Sequence, residues 1–166
     1  MQSLILDKEA LEQKLIRLAH QILEDQFDEE EICLVGIMQG GHQICAILKK
    51  EIQKIKAVDV SISSISVNKE NPLLRPSELS RDINYFDGKA VILVDDVANS
   101  GRTLFYAFQD FLHIMPKTVK VAVLVDREHK RFPVHCDYVG TSLGTTIKEH
   151  IEIVFKGNKL EAAYLS

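Results

Sequence analysis

The chain has 166 residues, 46% of them hydrophobic and 27% charged, and a formal charge of −4 at pH 7. That length suits one domain, residues 1–166, able to bury roughly 70% of its unfolded surface, so stability needs no disulfide or metal staple. The acidic balance gives no sign of a general polyanion binder, and no stretch reaches the roughly 18 apolar residues of a membrane-spanning helix.

The amino terminus carries an acid by residue 7 and no apolar region of signal-peptide length, which predicts a cytoplasmic protein. Cys33, Cys45 and Cys136 are odd in number and lack metal-ligand spacing; they read as buried free thiols in a reducing compartment. Asp7 can cap a helix running to about Gln26, on which Leu11, Leu15, Leu18, Ala19, Ile22 and Leu23 share a face. His20 on that helix reads as a surface or half-buried residue rather than a ligand. Ile32–Ile37 predicts a buried strand, closed by Gly36-Ile37-Met38-Gln39-Gly40-Gly41 before a helical run from His42 to Ile55. The paired glycines would expose backbone amides at a helix head, although a structural turn explains them equally well. Val58–Val67 alternates as a strand with one wetter face. From Asn68 to Asp87, two prolines, several charges and weak periodicity predict a long irregular connection, either a functional lid or a linker.

Lys89–Thr103, KAVILVDDVANSGRT, carries the most information. Its apolar run Ala90–Val94 predicts a strand buried on both faces of a parallel sheet, and Asp95 and Asp96 stand at its carboxyl end. The loop Ala98-Asn99-Ser100-Gly101-Arg102-Thr103 leads into a helix, Leu104–Leu112. Backbone N–H groups at such a helix head can hold a phosphate, Gly101 allows close approach, and Ser100 and Thr103 offer hydroxyls. Two carboxylates beside it would repel that phosphate unless they bind something else, and sugar hydroxyls or a Mg²⁺ held with them would meet that need. The implied ligand is a ribose 5-phosphate. Thr118–Val125 predicts another buried strand, ending in the charged loop Asp126–Arg131 at the same sheet edge. Phe132–Gly140 reads at least as a hairpin strand, Thr141–His150 follows no assignable pattern, and Ile151–Phe155 and Leu160–Tyr164 predict two strands around Gly157-Asn158 that finish the sheet.

The run VILVDDVANSGRT resembles the phosphoribosyl-pyrophosphate signature of the type I phosphoribosyltransferases. With LVGI, AVLVDR followed by His129, and DYVG, the likeness spans almost the whole chain and is greatest to the pyrimidine operon attenuator/uracil phosphoribosyltransferase family. The resemblance implies an α/β fold with a central, mostly parallel sheet flanked by helices and a small hood. Residues 68–87 become a mobile lid that closes over the reacting centre, with Lys69, Arg75 and Arg81 able to meet pyrophosphate charge. Residues 127–150 become part of a base-binding hood, in which Tyr138, Val139 and Gly140 lie beside the base and Arg127 binds substrate. Met38, Gln39, Gly40 and Gly41 become the pyrophosphate loop, although relatives commonly carry a basic side chain there and this chain has none. Val97, Ala98, Asn99, Ser100, Gly101, Arg102 and Thr103 bind the 5-phosphate; Asp95 and Asp96 are catalytic, on the ribose diol or on Mg²⁺, directly or through the hydroxyls.

The implied reaction displaces pyrophosphate from carbon 1 of phosphoribosyl pyrophosphate by a ring nitrogen of a nucleobase, uracil first, and the resemblance implies a homodimeric transferase of pyrimidine salvage. Purine-salvage relatives commonly carry an acid where this chain has Asn99, and an amide cannot take up a proton as that acid does. Two other classes stay open: an RNA-binding regulator using Lys49, Lys50, Lys54 and Lys56 or Arg127, Lys130 and Arg131, and a nucleotide sensor that has lost transfer chemistry.

Overall fold

The structure is a computed structural model describing residues 3–68, 70–144 and 149–166. It opens with a strand absent from the sequence reading, β1 (Ser3–Asp7), which pairs antiparallel with the last strand. The Asp7 carboxylate accepts from the Ala10 N–H at 2.9 Å and starts α1 (Lys8–Asp25), satisfying one of the donors a helix head leaves open. The six residues named from periodicity are the buried face of that helix, and His20 is exposed. Each large side chain so buried contributes about 1.5–3 kcal/mol.

Next come β2 (Glu31–Ile37), α2 (Met38–Ile55), β3 (Asp59–Ser66), β4 (Glu78–Leu79), a short 3₁₀ turn (Ile83–Phe86), β5 (Ala90–Ala98), α3 (Arg102–Phe111), β6 (Thr118–Arg127), β7 (Tyr138–Leu143), β8 (Ile151–Lys156) and β9 (Lys159–Leu165). One sheet has the order β4-β3-β2-β5-β6-β7, with every pairing parallel except β3–β4. Alternate residues of its central strands enter two cores. Ile32, Leu34, Ile92 and Val94 face α1 and α2, while Cys33, Val35, Val91 and Leu93 face α3 and Phe86. Burial on both faces explains the unbroken apolar run of β5.

The expectation that β8 and β9 finish this sheet is corrected. They join β1 in a separate antiparallel sheet of order β1-β9-β8, because β9 takes both neighbours as hairpin and amino-terminal partners. Of the irregular connection, β4 is bonded to β3, Phe86 is fully buried, and Leu73 and Leu74 are exposed. Its expected cation Lys69 lies outside the described residues, as do residues 145–148 of the expected hood. Among the described residues, no helix is long and apolar enough to cross a membrane.

At the amino-terminal edge of β7, Asp25 is hydrogen-bonded by Lys120, Tyr138 and Gln26, and these contacts hold its carboxyl below the ordinary value near 3.8. A depressed carboxylate stabilises the fold above its unfolded pKa, and that contribution disappears as pH falls through the folded value. Asp25→Asn should therefore cost less than about 1 kcal/mol at pH 7, since the carboxylate is partly exposed and screened by solvent. Urea unfolding of both proteins should show the difference shrinking below about pH 4.

Candidate active site at the carboxyl edge of the sheet

Strand β5 runs four residues further than its apolar core predicts, because Val97 and Ala98 stay in register with Val125 and Asp126 of β6. Asp95 and Asp96 are consequently part of the strand, half-buried at its end, with their orientation set by the main chain. Asp95 accepts from the Asp96 N–H at 2.9 Å, and Asp96 accepts from the Val97 N–H at 2.8 Å. Beyond them the chain turns at Gly101, whose φ of 81° lies in the left-handed region, and α3 begins. The Phe105 N–H bonds the Gly101 carbonyl at 2.9 Å, while the first-turn donors face the loop.

The second loop is set against the first. Gly41 lies so close to β5 that an added Cβ would sit 2.2 Å from the Val94 carbonyl oxygen, and one on Gly40 would sit 2.5 Å from Asp96 Oδ2. Met38, where β2 passes into α2, has φ 55°, a conformation that costs a non-glycine residue on the order of 1–3 kcal/mol. The glycines therefore serve packing as well as any ligand.

A cleft of about 420 Å³ opens where these loops meet. Met38 and all nine residues Asp95, Asp96, Val97, Ala98, Asn99, Ser100, Gly101, Arg102 and Thr103 line it. Gln39 borders a neighbouring hollow with Met38 and His42, while Gly40 and Gly41 form the floor between the loops. Arg127 reaches the cleft wall through Asn99, donating from Nη1 to Asn99 Oδ1 at 3.1 Å.

Tyr138, Val139 and Gly140 are not brought to the cleft, which corrects the expected base-binding position. They form the start of β7, opposite Ala122 and Val123, at the far end of the strands. The Tyr138 hydroxyl bonds Asp25 and Gln26, and Arg17 donates to the carbonyls of Val139 and Gly140. A Cβ on Gly140 would stand 2.3 Å from the Leu124 carbonyl, so sheet packing accounts for that glycine.

The far wall comes instead from His150, Ile151, Glu152 and Ile153 at the start of β8. Sequence reasoning treated these residues as the end of an unassigned stretch and an ordinary strand; their alternating pattern carried no sign of a ligand wall. Reciprocal bonds between the main chains of His150 and Ser166 set the phase of the β8–β9 ladder. By alternation, the main-chain groups of Ile151 and Ile153 point away from β9, toward the free edge of the strand. The cleft thus has a helix-head loop, two carboxylates and a strand edge with no strand partner among the described residues around one space.

The phosphoribosyl transferase domain matches residues 1–155, across these elements. The chain belongs to this family. A bifunctional protein PyrR of Elusimicrobium minutum is 36% identical over 168 residues, covering 94% of this chain and 91% of that protein. Its counterpart from Caldicellulosiruptor bescii is 32% identical over 160 residues, covering 90% and 86%. A crystal structure of a hypoxanthine-guanine phosphoribosyltransferase from Bacillus anthracis is similar with a TM-score of 0.71 and 31% identity, covering 84% of this chain and 81% of that one. The fold is that of the type I phosphoribosyltransferases, and the chain is a phosphoribosyltransferase.

Among the described residues that line the cleft there is no cysteine. Cys33, Cys45 and Cys136 are buried and unpaired, and burial pushes the Cys136 thiol up to about 12. Of the cations expected in the 68–87 connection, Arg81 stacks over the Tyr85 ring at 4.1 Å, and Arg75 is exposed. That connection touches the head of α3 through Arg102, which donates to the Glu70 carbonyl at 3.2 Å.

The two loop glycines separate packing from ligand contact. Gly41→Ala should destabilise the fold by about 1–3 kcal/mol, because its Cβ meets unyielding backbone, and the loss should appear in urea unfolding. Gly40→Ala meets the movable Asp96 side chain; it should leave unfolding nearly unchanged while weakening phosphoribosyl-pyrophosphate affinity measured by calorimetry.

Proposed function

We propose that this phosphoribosyltransferase joins uracil to the ribose 5-phosphate of phosphoribosyl pyrophosphate and releases pyrophosphate. The observation that carries the reading is the juxtaposition of Asp95 and Asp96, the Asn99–Thr103 loop and the free edge of β8 around one cleft. In this reading the α3 head and the hydroxyls of Ser100 and Thr103 hold the 5-phosphate. Asp95 and Asp96 hold the ribose diol and favour the positive charge that builds on the sugar as pyrophosphate departs. The main chain of Ile151 and Ile153 offers a donor and acceptor to the edge of a planar base. Uracil is preferred on Asn99, an amide where purine-salvage relatives commonly carry an acid.

The donor set suits Mg²⁺ of the kind that keeps most of its shell from substrate and water. Two adjacent carboxylates are present, while among the described residues no group of three or more His, Cys, Asp or Glu gathers to cage an ion. Asp95 and Asp96 would hold it, directly or through the ribose hydroxyls, and its chemistry would be to neutralise charge on the leaving pyrophosphate. Three buried thiols and the family resemblance support action in the cytoplasm as a homodimer.

Two observations favour other readings. The hypoxanthine-guanine enzyme of B. anthracis, at 31% identity, favours a 6-oxopurine. The names of the bifunctional relatives, together with the lack of a basic side chain in Met38–Gly41 of this chain, favour an RNA-binding regulator or a nucleotide sensor. The helix cations offered for RNA are partly engaged: Lys54 pairs with Glu51, and Lys56 bonds the Phe27 carbonyl at 2.5 Å.

Pyrophosphate release with Mg²⁺ and uracil, hypoxanthine, guanine, adenine or orotate tests the assignment. Turnover with uracil above the others is expected, and turnover with hypoxanthine or guanine alone would replace it. Asp96→Asn should lower kcat by about 10²-fold or more with unchanged thermal unfolding; normal turnover in that variant would remove the role of Asp96.

A further inference from the structure

The phosphate loop and the end of β6 are fastened together at several points. Besides the Arg127–Asn99 hydrogen bond, the N–H groups of Arg131 and Phe132 both donate to the Ser100 carbonyl, at 3.0 and 3.1 Å. Lys130 holds the Arg127 carbonyl at 2.7 Å and ion-pairs with Asp126. A guanidinium only donates, so it takes the Asn99 carbonyl oxygen and leaves the amide NH₂ as the group available to the cleft. An amide that could otherwise turn over is thereby fixed as a donor.

We propose that Arg127 is a positioning residue that presents Asn99 as a hydrogen-bond donor to a base reacting as its anion, a pyrimidine whose attacking ring nitrogen is flanked by a carbonyl. This deepens the reading above and rests on it. Uracil loses its N1 proton to solvent. The N1 electron pair then forms the bond to carbon 1 of the ribose while the bond from carbon 1 to the pyrophosphate oxygen breaks, and pyrophosphate leaves with that electron pair. The negative charge of the base spreads onto its O2 carbonyl, where the Asn99 N–H stabilises it. A purine that attacks through one imidazole nitrogen carries its proton on the other and needs an acceptor there, which the pinned amide does not offer.

Other charged groups share the cleft with Asn99. Asp95 and Asp96 stand at the end of β5 just before it, and Arg102 opens α3 just after it. His150 and Glu152 line the same cleft at the start of β8, and Asp126, next to Arg127 in the chain, is ion-paired with Lys130. His150 is the rival acceptor for the proton.

The test measures kcat/KM against pH for uracil and 5-fluorouracil, a more acidic pyrimidine, at saturating phosphoribosyl pyrophosphate, with ribose 5-phosphate affinity by calorimetry as control. In the wild type each profile should rise about tenfold per pH unit and bend at the ionisation of its own base, so that the 5-fluorouracil limb lies at lower pH. Arg127→Met should lose about tenfold or more in kcat/KM for uracil with ribose 5-phosphate affinity unchanged, and Arg127→Lys, which still donates, should recover most of it. A limb at the same pH for both bases would assign the proton to an enzyme group such as His150 and overturn the proposal. Unchanged uracil turnover in Arg127→Met would do the same. Ribose 5-phosphate binding without turnover of any base would instead remove the uracil transferase reading, and this inference with it.

Discussion

The site depends on how closely two loops approach at the carboxyl ends of β2 and β5. Gly41 packs against the Val94 carbonyl at a separation no side chain could occupy, and Gly40 packs against the movable side chain of Asp96. Parallel pairing of β2 with β5 brings the two strand ends level, and the glycines let the head of α2 settle against them. The left-handed turn at Met38 is the conformational cost of that entry, offset by the buried packing of α2 through Ile44, Cys45, Leu48 and Ile52. A carboxylate pair and two helix heads end up in one small volume.

The second wall is built by a different logic. Strand β8 belongs to the three-stranded antiparallel sheet, and its outer edge is left without a strand partner in that sheet. An unpaired edge is usually a liability, since its donors and acceptors invite association. Here the same groups lie beside the phosphate loop, where a planar ligand could pair with them. The amino-terminal strand β1 matters to this arrangement because it pairs with β9 and so fixes the small sheet from its other side.

The Asn99–Gly101 segment is fastened to the chain at and just beyond the end of β6, which in the proposed reading links phosphate binding to base binding mechanically. The two N–H groups on the Ser100 carbonyl, together with the Arg127 contact, tie the loop that would hold the sugar phosphate to the strand beside the base. The 68–87 connection adds its own ties, through Glu70 to Arg102 and through Ser77, which donates to Asp110 at 2.6 Å on α3.

Much of this was legible from local pattern. The Asp7 cap, the buried face of α1, the apolar run of β5 and the order acid, acid, loop, glycine, helix are short-range features, and short-range physics decides them. Local pattern is enough to read a loop and helix head that follow two carboxylates at the end of a buried strand. Which residues stand opposite them is set by tertiary contacts. DYVG was assigned to the base, yet Tyr138 turns to Asp25 because β7 runs parallel to β6 and places its first residues at the far edge. His150 to Ile153 line the cleft instead, placed by pairing with β9 across the hairpin, and β1 joins from the other end of the chain. Strand partnership and register are set by contacts between segments distant in sequence, which local periodicity does not encode.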